Sequence, residues 1–172
     1  MSKSSGGIRS GFSNIILRES QRRTTKTASQ KIADVIDEIE RNGHSRAEPF
    51  AIGKVEKRMK DFAEKEGITL ASSSIYIRPH DIGHALRYDK KAKGINVSPE
   101  ELSQFPNNKN KMALYFDDHE KKFVYTNGET KYIINPNYKI KRKRKKVKVV
   151  NFITASKITD VKEFNMKKYR KV

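Results

Sequence analysis

Apolar residues follow two periods along this chain, and the change from one to the other outlines the architecture. Ile32, Val35, Ile36 and Ile39 recur at i, i+3, i+4 and i+7, one stripe of a helix from about residue 17 to 41, and Asn42-Gly43 supplies its stop. Val55, Met59 and Phe62 share a second helical face over 54–66, with Gly67 placed to close it in the left-handed conformation. Between Ile68 and Ile77 the period shortens to two, which predicts a strand. Pro79 disfavours helix at Arg78 and suits the first turn of a new one. Ser98-Pro99-Glu100-Glu101 supplies an N-cap serine, a first-turn proline and a reciprocal glutamate, so a short helix starts there and Phe105-Pro106 closes it.

Alternation dominates the rest. Met112, Leu114 and Phe116, then Phe123 and Tyr125, then Tyr132 and Ile134, then Val147, Val149, Asn151 and Ile153 read as a meander of about four strands, with Asn127-Gly128 as a hairpin turn. The expected fold is α+β: N-terminal helices packed on a twisted antiparallel sheet of about four strands. Ser/Gly-rich residues 1–16 read as a flexible leader and 17–47 as an N-terminal helical segment.

The length of 172 residues suits one core, and no internal repeat is present. Cysteine is absent, which excludes disulfide staples and thiolate metal sites. No apolar run reaches the roughly 18 residues of a membrane span, so no membrane partner is expected. The net charge of +18, from 38 Lys and Arg against 20 Asp and Glu, attracts polyanions and makes RNA or DNA the first partner to consider. A surface simply coated with lysine is the plain alternative. The charge is densest in KIKRKRKKVK, residues 139–148, where two strands must be joined. Lys141, Arg142, Lys143, Arg144, Lys145 and Lys146 there suit phosphate-backbone contact, a solvated loop, or a receptor-read address.

The decapeptide RPHDIGHALR, residues 78–87, concentrates the chemistry. On a continuous helix His80, His84, Arg87 and Lys91 form one stripe while Ile82, Ala85 and Leu86 lie opposite. The His-x-x-x-His spacing lacks the adjacent glutamate of zinc peptidases and an obvious third ligand, so neither a metal nor a cofactor is expected. The stripe suits phosphodiester cleavage in RNA instead: one imidazole takes the 2′-hydroxyl proton, another group protonates the leaving oxygen, and Arg87 stabilises phosphate charge. Two surface histidines on a basic helix are the ordinary alternative. In VVNFITASKI, residues 149–158, simple alternation puts Phe152, Thr154 and Ser156 on one face, where the two hydroxyls could hold phosphate oxygens; threonine is also a common strand former.

Taken in order, PFAIGKV (49–55), IYIRPHDIGHALR (75–87), INVSPEELSQFP (95–106), ALYFDDHEKKFVYTNG (113–128), VVNFITASKI and the terminal KKYRKV resemble the phage-type ribonuclease domains of the barnase/EndoU/colicin/RelE-like superfamily, found in MuF-type phage head proteins and polymorphic toxins. The resemblance covers about residues 48–172. It implies helices on a four-stranded antiparallel sheet, metal-independent cleavage of RNA (tRNA among the targets), and a 2′,3′-cyclic phosphate product. It carries the helix histidine onto His84, the following basic residue onto Arg87 and the strand hydroxyl onto Thr154; His80, Ser156 and, less directly, Tyr169 are further members of the expected site. It also implies a toxin with an acidic immunity partner, acting in the cytoplasm of a producing or target bacterial cell, and carried in a phage particle or exported by a specialised route. Two rivals stand beside it: a non-enzymatic basic protein packaged with nucleic acid, and the same fold with another phosphate chemistry such as nucleotidyl or ADP-ribosyl transfer.

Overall fold

The computed structural model describes residues 25–172, so the leader and residues 17–24 of the first expected helix lie outside the described residues, while 25–27 are not helical and the helix starts at Ala28, capped by Thr27. In chain order the elements are α1 (Ala28–Asn42), β1 (Phe50–Lys54), α2 (Lys57–Glu66), β2 (Ser74–Ile77), α3 (Pro79–Ala85), α4 (Tyr88–Ala92), α5 (Pro99–Asn108), β3 (Ala113–Asp117), β4 (Lys122–Thr126), β5 (Thr130–Arg142), β6 (Lys145–Lys157) and β7 (Tyr169–Lys171). The fold is mixed α+β. Its sheet is larger than expected: among the described residues it has seven strands in the order β1-β2-β6-β5-β4-β3-β7.

Local chemistry sets the helix ends. Thr27 and Gln30 form a capping box at the start of α1, and Gly43 at φ 81° ends it by donating to Ile39 O at 2.7 Å. Ser98 Oγ accepts from Glu101 N at 3.0 Å while Glu101 Oε1 accepts from Ser98 N at 3.1 Å, the expected reciprocal cap of α5. That helix does not stop at Phe105-Pro106: it continues to Asn108 with Pro106 inside it, because Phe105 is buried among Tyr125, Tyr132 and Phe152 and its packing outweighs the proline.

Ile32, Val35 and Ile36 of α1 join the same buried cluster as Ile75, Ile77, Phe105, Tyr132 and Phe152. Burying each such side chain contributes about 1.5–3 kcal/mol. The expected elements lack β1, a five-residue strand that pairs antiparallel with β2 with a register shift between Ala51 and Gly53, since a strand this short offers too little alternation to stand out. They also lack β7, three residues that pair with β3.

The sheet is not wholly antiparallel. β2 and β6 run parallel, Ile75 beside Val150 and Tyr76 beside Asn151. Parallel neighbours need a long crossover, and here α3, α4, α5 and the β3–β5 meander supply it.

The basic run is not a loop between strands, as its composition implied. β5 and β6 are both 13 residues long, and the connection is Lys143-Arg144 alone. Lys and Arg occupy the ladder because Ile140 and Val147 keep the alternation on one face, with Ile140 buried. The register shifts between Asn135 and Tyr138, around Pro136, and beyond that bulge the hairpin becomes an arm against the β2 end of the sheet. Arg142 lies over the Tyr76 ring at 5.1 Å, Arg78 over Tyr138 at 5.2 Å, and Lys143 N donates to Glu48 Oε1 at 2.8 Å.

Candidate functional site

α3 is anchored from its first turn. Asp81 is buried; its carboxylate accepts from Arg78 N at 2.9 Å, Arg78 Nε at 3.0 Å, Arg78 Nη2 at 2.7 Å and Asn151 Nδ2 at 3.0 Å. Asn151 belongs to β6, so this carboxylate ties the helix start to an interior strand of the sheet. Ile82 and Ala85 are fully buried beneath it, which turns His80 and His84 outward.

The two imidazoles stack with centroids 6.4 Å apart. They open onto a cleft of about 500 Å³ whose other wall is the residue run after α1: Gly43, His44 and Ser45 face Pro79, His80, Gly83, His84 and Arg87. Three of the chain's four histidines therefore line one cleft. His44 was not foreseen, because 36 residues separate it from His80 and only the packing of α1 on α3 brings them together. His44 Nδ1 lies 3.1 Å from Asn42 O. The fourth histidine, His119, sits in the β3–β4 turn, away from the cleft.

The helix does not continue as the expected stripe. α3 ends at Ala85, Leu86 leaves helical geometry at φ −96° and ψ 6°, and α4 starts afresh at Tyr88. Lys91 is accordingly exposed on a separate turn, and Lys90 is the lysine turned inward. β2 ends at Ile77, which leaves the edge of β6 beyond Asn151 to be covered by the segment after α3. Lys157 N donates to Ile95 O at 2.8 Å, and Lys90 Nζ donates to Ala155 O at 2.9 Å and to Thr154 Oγ1. Thr154 thus meets the helix segment through Lys90.

The strand face read from simple alternation is corrected. Ile134 pairs with Phe152 and Ile133 with Thr154, so Ile153 is an extra, bulged residue. Past it the faces exchange: Ala155 opposite Tyr132 is in the core with Phe152, while Thr154 and Ser156 lie on the other side, opposite Ile133 and Lys131. Tyr169 is on β7, at the far edge from β1 and β2; its hydroxyl donates to Glu163 Oε2 at 2.8 Å, and Lys131 Nζ reaches the same oxygen at 2.6 Å. The structure brings His80, His84 and Arg87 together with His44 along one cleft, sets Lys90, held by Thr154, near enough for its charge to act on His84, and leaves Ser156 and Tyr169 outside the cleft lining.

Electrostatically, burial pushes His84 below its ordinary value, and the positive charges of Arg87 and Lys90 with the His80 ring lower it further against a small opposing pull from Asp81. A neutral imidazole at neutral pH follows. Among the described residues, no group of three or more His, Asp or Glu is placed to hold a metal ion. No described helix is long and apolar enough to cross a membrane. Compared with known proteins, the chain matches no family model, no curated protein and no solved structure.

Proposed function

We propose that this protein is a toxin-like, metal-independent endoribonuclease of the barnase/EndoU/colicin/RelE-like kind, cleaving RNA by 2′-hydroxyl attack. The observation that carries the reading is a cleft with two stacked imidazoles, one held neutral, beside Arg87 and the Lys90–Thr154 contact. The α+β fold with a central antiparallel β3–β6 series supports it.

In the reaction His84 accepts the 2′-hydroxyl proton as that oxygen attacks phosphorus. The bond to the 5′-oxygen breaks, and His80, in its protonated form, donates to that leaving oxygen. The product is a 2′,3′-cyclic phosphate and a free 5′-hydroxyl. Arg87 stabilises the charge that builds on the non-bridging oxygens. Lys90, fixed by Thr154 Oγ1 and Ala155 O, is a positioning residue whose positive charge adds to the lowering of His84 that burial and Arg87 begin. The exposed lysines of the β5–β6 arm hold the RNA backbone, and an acidic immunity protein is the partner expected to cover this surface.

The test is incubation with total RNA and with tRNA in EDTA, wild type beside His84→Ala, with products sized and their ends tested for cyclic phosphate. Cleavage by wild type and a loss of at least about a hundredfold in the variant is the expected result. Intact RNA in both lanes with tight, salt-sensitive binding would make the protein a nucleic-acid-binding protein whose histidines take no part.

A further inference from the structure

The arm sorts its side chains by strand alternation. Beyond the bulge Tyr138 pairs with Val149, Lys139 with Lys148, Ile140 with Val147, Lys141 with Lys146 and Arg142 with Lys145. Tyr138, Ile140, Arg142 and Val149 share the inward face: Ile140 and Val149 are buried, Arg142 covers Tyr76 and Arg78 covers Tyr138. The outward face consists of Lys139, Lys141, Lys146 and Lys148, all exposed.

Two features of this array work against the free protein. Like charges directly opposite one another destabilise a ladder, and both outward pairs are lysine on lysine. The two-residue turn needs positive φ at both positions, where Asn-Gly fits without strain, yet Lys143 and Arg144 occupy it at φ 51° and 67°. The first penalty eases if a polyanion lies on this face, since its phosphates neutralise the paired lysines, and the strained turn keeps two cations at the tip where such a polyanion would meet them.

The form of the array indicates which polyanion. Proteins that hold single strands offer aromatic platforms on which unstacked bases lie, whereas the outward face carries no aromatic residue and the nearby Tyr76 and Tyr138 are capped by guanidinium groups. What remains is four exposed lysines on a regular backbone grid, their Cα atoms about 6.6 Å apart along each strand and about 5 Å apart across the pair. Such a grid matches phosphate rows that are themselves fixed. We infer that the outward face of the β5–β6 arm is a binding surface for base-paired RNA, so that the substrate class is structured RNA with a double-stranded stem. The inference rests on the ribonuclease reading for its link to cleavage: Arg78, which lies over Tyr138 on the inward face of the arm, is also the N-cap of α3, the helix that carries His80 and His84.

The test uses a 2′-O-methyl RNA duplex of about 20 base pairs, long enough to span two grooves, and its separated strand. Both resist 2′-hydroxyl chemistry, so binding is read apart from cleavage. At physiological salt, anisotropy titration should give at least about tenfold tighter binding to the duplex. Lys139, Lys141, Lys146 and Lys148 replaced together by Gln should remove that preference and lower the salt slope by about 3–4, near 0.9 per phosphate contact. Lys143→Asn with Arg144→Gly should raise the melting temperature while weakening duplex binding, an opposition that a purely structural turn does not produce. Equal affinity for the single strand, or a fourfold variant that binds the duplex like wild type, overturns the inference. Preference for the duplex with no cleavage of natural RNA sinks the nuclease reading and leaves the arm's role standing. Cleavage with no duplex preference does the reverse.

Discussion

Replacing Asp81 by Asn isolates the node on which the site depends. The substitution keeps shape and volume but removes the charge from a side chain that is 3% exposed and receives four hydrogen bonds. Asparagine offers one accepting oxygen where two are used, and its amide then points at donors: at Arg78 Nη2 if it takes the Oδ1 position, or at Arg78 N, Arg78 Nε and Asn151 Nδ2 if it takes the Oδ2 position. Removing one partner of a buried charge pair costs about 3–5 kcal/mol. Arg78 keeps 25% side-chain exposure and its place over Tyr138, so it retains partial solvation and the cost falls to about 2–3 kcal/mol. For a chain of this size each kcal/mol shifts the melting temperature by about 2–4 °C, giving an expected fall of about 4–12 °C by calorimetry at pH 7. Asp61→Asn is the control: its contact with Lys57 at 2.6 Å is on the surface, the Asp61 side chain being 58% exposed, and the expected loss is under about 0.5 kcal/mol. A D81N protein melting within about 1 °C of wild type, or a D61N protein falling as far, would refute the assignment of Asp81 as the anchor.

Two further outcomes follow from named contacts. Gly53→Ala places a Cβ 2.7 Å from Lys109 Cε at φ 154°, and Lys109 cannot swing away because its ammonium donates to Lys54 O at 2.9 Å and Asn110 Oδ1 at 3.0 Å; a loss of about 1–3 kcal/mol in urea unfolding is expected, and an unchanged midpoint would contradict it. Since His84 is depressed below 6.5, the acid limb of kcat/KM should lie below pH 6.5, and Arg87→Gln, which removes a charge that lowers His84, should move it upward while reducing the rate. The same depression means that between the folded value and 6.5 the unfolded chain binds more protons, so stability rises with pH across that window and is lost on acidification; a limb at or above 6.5 would remove His84 as the base.

Much of the framework was legible in order. The apolar stripe of α1, the Gly43 and Gly67 stops, the Ser98–Glu101 cap and the Asn127-Gly128 turn are short-range signals whose physics acts within a few residues, and each appears where its residues stand. Readings that extrapolated one period too far failed. The stripe through Lys91 assumed a helix that Leu86 breaks, and the Phe152–Thr154–Ser156 face assumed a strand without the bulge at Ile153. Most of the basic run was read as a junction between strands because charge density concealed the alternation of Tyr138, Ile140 and Arg142.

By itself, then, the sequence determined the class of fold, several helix caps and stops, the excess of positive charge and the pairing of His80 with His84 on one helix, because propensity, capping and periodicity are local. Tertiary structure alone decided that His44 faces that pair across a cleft, that Lys90 and not Lys91 meets Thr154, that Asp81 binds α3 to β6, and that the lysines form a grid on a strained hairpin. Those facts depend on how distant segments pack and on where one extra residue shifts a register, and neither is encoded in the spacing of residues along a single stretch of chain.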